Sequence, residues 1–140
     1  MKHKQLEIAI VVSKFNYEIT NEMKKHAISY AKKNGAVVNH IAEVPGAFEI
    51  PFVVQSILEK KNVDGVATLG AVVKGQTNHD EVIVYSVVNK ILELSIAYKK
   101  PVSLGIIGPN ATWEQAMERR KEYAERSIQA VIDVLKLAIN

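Results

Sequence analysis

Four short β-branched runs alternate along the chain with longer segments of helical period, an order that restricts the fold to α/β units wound around a parallel sheet. The runs are Leu6 to Val12 (LEIAIVV), Ala36 to Val44 (AVVNHIAEV), Val63 to Leu69 (VDGVATL) and Val102 to Ile107 (VSLGII). The first is almost continuously apolar, as a strand covered by helices on both faces should be. Between the runs, Ile19, Met23, Ala27, Tyr30 and Ala31 mark one face of a helix that stops at Asn34-Gly35, where glycine supplies a left-handed cap. Pro51 opens a second helix running to about Lys61. A third is expected from about Asp80 to Lys99 and a fourth from about Trp113 to Ala138. Asn78 lies three residues before Glu81, and Thr112 three before Gln115, the spacing of a reciprocal capping box at each of these last two helix starts. The units use nearly all of the 140 residues without linker or repeat, so one domain over residues 1–140 is expected, a three-layer α/β/α sandwich on a four-stranded parallel sheet.

Composition narrows the chemistry. The absence of cysteine excludes thiolate metal sites, iron–sulfur clusters, thiol nucleophiles and disulfides, and fits a reducing compartment. The formal charge of +3 is mild, and the densest basic cluster, Arg119-Arg120-Lys121, runs into Glu122 and Glu125 as on a solvated helix face. No nucleic-acid partner is expected. No window holds the ~18 uncharged apolar residues of a membrane span, and the N-terminal stretch lacks a cleavage site, so a cytoplasmic location is expected.

In open α/β sheets ligands bind outside the carboxyl ends of the strands, which directs attention to the segments following each run. They read Ser13-Lys14-Phe15-Asn16, Val44 to Pro51 (VPGAFEIP), Gly70 to His79 (GAVVKGQTNH) and Gly108 to Thr112 (GPNAT). Gly75-Gln76-Thr77-Asn78 runs into a helix start, where free backbone N–H groups and the helix dipole favour an anion such as phosphate. A well-capped turn without ligand would read the same way. His79 stands at that start, either as a surface residue or as a proton shuttle. Metal ligation by His79-Asp80-Glu81 is not expected, because adjacent residues splay around a helix and no second histidine follows at i+4. The Phe15 ring can plug the core or stack on a planar ligand. Glu49 can face solvent or accept hydrogen bonds from hydroxyls or an amine, and Arg119 can form an ion pair or grip a phosphate.

Together, Phe15-Asn16, VPGAFEIP, GAVVKGQTNHDEV at Gly70 to Val82 and EQAMERR at Glu114 to Arg120 resemble the lumazine synthase (6,7-dimethyl-8-ribityllumazine synthase) family in an archaeal-like form, over almost the whole chain. The resemblance implies a flavodoxin-like sheet and a condensation in riboflavin biosynthesis. In that transferase reaction 5-amino-6-(D-ribitylamino)uracil and 3,4-dihydroxy-2-butanone 4-phosphate give 6,7-dimethyl-8-ribityllumazine, phosphate and two waters. It implies no cofactor. By position, Phe15 would stack on the pyrimidine, while Asn16, Gly46, Ala47 and Glu49 would hold the ring or the ribityl chain. The backbone of Val72 and Val73 would read the uracil edge. Gly75, Gln76 and Thr77 would surround the phosphate, Arg119 would clamp it, and His79 would shuttle protons. The resemblance also implies a homo-oligomer, a pentamer or an icosahedral assembly of pentamers, with sites between subunits.

Three departures from the family pattern stand out. Leu104 occupies the strand position where many members donate a second aromatic to a neighbouring subunit's site. The turn Gly108 to Trp113 is one residue longer than the common version. The last helix lacks the glycine-rich stretch after Arg119, leaving Arg126 as a further candidate for the phosphate. Archaeal-type riboflavin synthase shares the VPG-like second loop, but KGQTNHDE fits lumazine synthase better; a non-enzymatic flavodoxin-like electron carrier would show a Ser/Thr/Gly-rich first loop where this chain reads SKFN, and the presence of Phe15, Glu49, His79 and Arg119 together argues against a catalytically inactive shell protein.

Overall fold

A computed structural model describes residues 5–138. The elements in chain order are β1 (Leu6–Ser13), α1 (Tyr17–Lys33), β2 (Ala36–Val44), a single 3₁₀ turn (Ala47–Glu49), α2 (Ile50–Leu58), β3 (Gly65–Val73), α3 (His79–Tyr98), β4 (Val102–Ala111) and α4 (Trp113–Ala138). All neighbouring strands are parallel, in the order β2-β1-β3-β4. The expected three-layer sandwich is therefore present.

Its layers follow from strand alternation. Ile8, Ile10 and Val12 of β1, with Ala67, Leu69 and Ala71 of β3, pack against Ile19, Met23 and Ala27 of α1 and Ala124, Ile128 and Ile132 of α4. Ala9, Val11 and Val66 face the other way, onto Val54 and Ile57 of α2 and Val87, Ile91 and Leu94 of α3. Both sides of β1 are thus buried, which is why its sequence reads as an unbroken apolar run.

Several boundaries differ from the sequence expectation. β3 starts at Gly65 rather than Val63, because Asp64 turns back to clip β1: its N–H donates to the Glu7 carbonyl (2.7 Å) and its carboxylate accepts the Glu7 N–H (2.8 Å). β3 also continues through Val72 and Val73, and β4 continues through Gly108-Pro109 to Ala111, where Val73 pairs with Ala111. The segment GPNA is therefore strand where a loop was expected. β4 is an edge strand, and there a proline costs no ladder hydrogen bond. α2 ends at Leu58, short of Lys61.

The two expected capping boxes part company. At α4 the box is complete, with Gln115 N–H donating to Thr112 Oγ1 (3.1 Å) and Thr112 N–H to Gln115 Oε1 (3.0 Å). At α3 the Asn78 side chain makes no cap hydrogen bond. Thr112→Ala is expected to lower stability by about 1 kcal/mol, read as a shift in the denaturant midpoint with an unchanged m-value.

A buried hydroxyl network fixes β4 between β3 and α4. Thr68 Oγ1 donates to the Ser103 carbonyl (2.7 Å), Ser103 and Ser127 hydroxyls are 2.6 Å apart, and Ser127 Oγ donates to the Thr68 carbonyl (3.2 Å). Gly105 passes so close that a Cβ would lie 2.4 Å from the Thr68 carbonyl oxygen. Leu104, its neighbour, points to the opposite face of this edge strand and is 49% exposed.

Candidate active site at the carboxyl ends of the strands

From β1 the chain crosses first to β2 on one flank and then to β3 on the other, so the switch point lies between the ends of β1 and β3. A crevice opens there because the two connections leave in opposite directions.

The end of β1 is tied to both flanks. The N–H groups of Lys14 and Phe15 donate to the carbonyls of Val44 (2.7 Å) and Pro45 (3.0 Å), and Asn16 Nδ2 donates to the Ala71 carbonyl (2.8 Å). Asn16 takes up a left-handed conformation (φ 65°), which asparagine tolerates better than most residues. With its backbone held this way, Phe15 turns its ring outward, 72% exposed. Core plugging is not its role.

The second loop folds on itself. The Gly46 N–H donates to Glu49 Oε1 (2.9 Å), and the Glu49 N–H returns to the Gly46 carbonyl (3.2 Å), closing the 3₁₀ turn. Glu49 is thereby neither a free solvent charge nor aimed only at a ligand. In the third loop Thr77 Oγ1 accepts the His79 N–H (3.3 Å), the Glu81 N–H goes to the Asn78 backbone carbonyl (3.1 Å), and Lys74 N–H donates to the Ala111 carbonyl (2.8 Å). Gly75 is open on the side a Cβ would occupy. His79 is the first residue of α3 and is exposed.

These loops enclose a cavity of about 490 Å³, within the range of small-molecule sites. Of the expected residues it is lined by Phe15, Asn16, Gly46, Ala47, Val72, Val73, Gly75, Thr77 and His79. Glu49 and Gln76 belong to the same loops but not to the lining. Phe48, Ala71, Asp80 and Ile83 also line it. Ile83 was legible as the residue at i+4 from His79, on the same helix face. Phe48, 64% exposed, was legible as a large aromatic amid small loop residues. Asp80 gave no signal: an acidic residue in a first helical turn reads as a solvated partner of the helix dipole.

Leu104 and Arg119 do not join this cavity. Leu104 borders a second one of about 450 Å³ with Tyr123 and Arg126. Arg126 pairs with Glu122 (3.2 Å) and lies over the Tyr123 ring at 5.8 Å. Arg119 is exposed on α4 and forms no ion pair among the described residues. Likewise, among the described residues no three acidic or imidazole side chains are grouped to hold a metal ion, and no helix is long and apolar enough to cross a membrane.

A family model described as 6,7-dimethyl-8-ribityllumazine synthase matches residues 5–138. The chain belongs to this family. Proteins bearing the same name include one from Metallosphaera sedula, 48% identical over 136 residues that span 97% of this chain and 90% of that protein. One from Staphylothermus marinus is 49% identical over 128 residues, 91% of this chain and 85% of its own. One from Aeropyrum pernix is 47% identical over 133 residues, 94% and 90%. All four motifs that carried the resemblance to lumazine synthases fall inside the region matched by the family model.

Proposed function

We propose that the chain condenses 5-amino-6-(D-ribitylamino)uracil with 3,4-dihydroxy-2-butanone 4-phosphate, giving 6,7-dimethyl-8-ribityllumazine, phosphate and two waters. The observation that carries this is the single cavity uniting an outward aromatic, Phe15, with the helix start at Gly75 to Thr77 and the imidazole of His79. Phe15 stacks on the pyrimidine. Asn16, Gly46, Ala47 and Glu49 hold the ring and the ribityl chain, and the backbone of Val72 and Val73 reads the uracil edge. Gly75, Gln76 and Thr77 receive the phosphate at the positive end of α3. His79 moves protons as the amine adds to the ketone, as water leaves to form the imine and as phosphate is eliminated. Most of the acceleration comes from holding amine against ketone, which supplies up to about 7–11 kcal/mol. Product analysis tests this reading: lumazine and phosphate form in equal amounts from the two substrates. Riboflavin formed from lumazine alone would instead favour the riboflavin-synthase alternative.

The same reading makes the protein a pentamer or an assembly of pentamers with sites shared between subunits. Two features support this. Leu104 and Arg119 stand apart from the His79 cavity of their own chain, and α3 is apolar on two sides. Val84, Val87, Ile91 and Leu94 cover the sheet, while Val82, Tyr85, Leu92 and Ile96 are more than half exposed, as is Phe52 of α2. Such a face belongs against a partner. A complementation experiment follows: co-assembled His79→Ala and Arg119→Ala chains, each impaired alone when the butanone phosphate is subsaturating, regain activity at about one site in four by random pairing. Failure to regain any activity in a verified mixed assembly would place both residues in one subunit's site.

A further inference from the structure

Asp80 is a buried carboxylate, 3% exposed, on the wall of the cavity and next in sequence to His79. Its Oδ2 accepts the Asn110 N–H at 2.9 Å, and its Oδ1 is buried without a partner. A buried carboxylate with one oxygen unpaired is costly and calls for an explanation. What depends on it is legible in the loop between β3 and α3. The near end of that loop is held by the Lys74 N–H on the Ala111 carbonyl (2.8 Å), and the far end by Asp80 on the Asn110 N–H. Two adjacent residues of the lengthened β4 end thus grip both ends of the segment that carries Gly75, Thr77 and His79. Asn110 presents its N–H from a left-handed conformation (φ 64°), and its Oδ1 also receives Lys74 Nζ at 3.4 Å. The Asn78 side chain caps nothing, and among the described residues the Asp80 bond is a hydrogen bond that ties the first turn of α3 to the end of β4.

We propose that Asp80 is a positioning residue, whose hydrogen bond to Asn110 sets where His79 and the anion-receiving loop stand relative to the substrates; this rests on the function proposed above. A misplacement of about 1 Å at reacting groups costs on the order of 10²-fold. Asp80→Ala is therefore expected to lower kcat/KM for the butanone phosphate about ten- to 100-fold, while Asp80→Asn, which keeps an acceptor for the Asn110 N–H and drops the charge, stays within about threefold of wild type. In a His79→Ala background, Asp80→Ala should lower kcat less than about threefold further, because the group it positions is gone. Asp80→Val serves as the second removal variant if the alanine chain does not fold.

A readout that needs no turnover is calorimetric binding of inorganic phosphate to the intact assembly, expected to weaken about tenfold in Asp80→Ala and to persist in Asp80→Asn. Asp80→Asn as impaired as Asp80→Ala, or phosphate binding indifferent to both, overturns the inference. A wild-type chain that binds phosphate in an Asp80-dependent way yet makes no lumazine upholds the positioning role and overturns the function alone; a wild-type chain that makes lumazine yet binds no phosphate overturns the inference and leaves the function standing.

Discussion

Replacing His79 by alanine slows lumazine formation by about 10²–10⁴-fold and leaves a measurable rate. The imidazole stands on the first residue of α3, at the cavity, with its backbone N–H engaged by Thr77 Oγ1, so the side chain is available to substrate while the main chain is held. On the proposed function its contribution is proton transfer as the imine forms and phosphate departs. The larger part of the acceleration, juxtaposition of amine and ketone between Phe15 and the third loop, survives the substitution. Steady-state kinetics should therefore show a reduced kcat with the Michaelis constant for the pyrimidine little changed. Complete loss of activity in a correctly assembled His79→Ala protein would mean that the histidine does more than shuttle protons.

Arg119→Ala acts on binding. A charge-assisted hydrogen bond to phosphate contributes about 1.5–3 kcal/mol, so the Michaelis constant for the butanone phosphate should rise about ten- to 150-fold. The constant for the pyrimidine should hold. The side chain is exposed and forms no ion pair within the described residues, which leaves the guanidinium free for the phosphate contact proposed for it. Arg119→Lys recovers part of the loss, because an ammonium keeps the charge but not the planar fork. An unchanged Michaelis constant in Arg119→Ala would remove this residue from the site and turn attention to Arg126.

The sheet was legible because burial on both faces leaves a simple trace: LEIAIVV has nowhere polar to turn. The Thr112–Gln115 box was legible because both partners are local, whereas the Asn78–Glu81 box failed because Asn78 is not extended (φ −84°, ψ 19°) and its backbone carbonyl, not its side chain, accepts the Glu81 N–H (3.1 Å). The end of β4 misled, since Gly-Pro-Asn carries every sign of a turn and nothing local announces that Val73 pairs across to Ala111. Within the site, the order of motifs carried Phe15, Asn16 and His79 into one place. Asp80 was missed because its partner lies thirty residues away and is a backbone N–H, invisible to any reading of side-chain types. Leu104 and Arg119 were grouped with the others by family likeness, and within a single chain the fold sets them apart from that cavity.

The most direct test is to mix the purified assembly with both substrates and follow lumazine absorbance and fluorescence against the uncatalysed reaction. The account predicts clear acceleration, diminished in the His79 and Arg119 variants. No acceleration by a folded assembly would contradict it and leave a flavodoxin-like shell without this chemistry, with Leu104 the first residue to change to an aromatic.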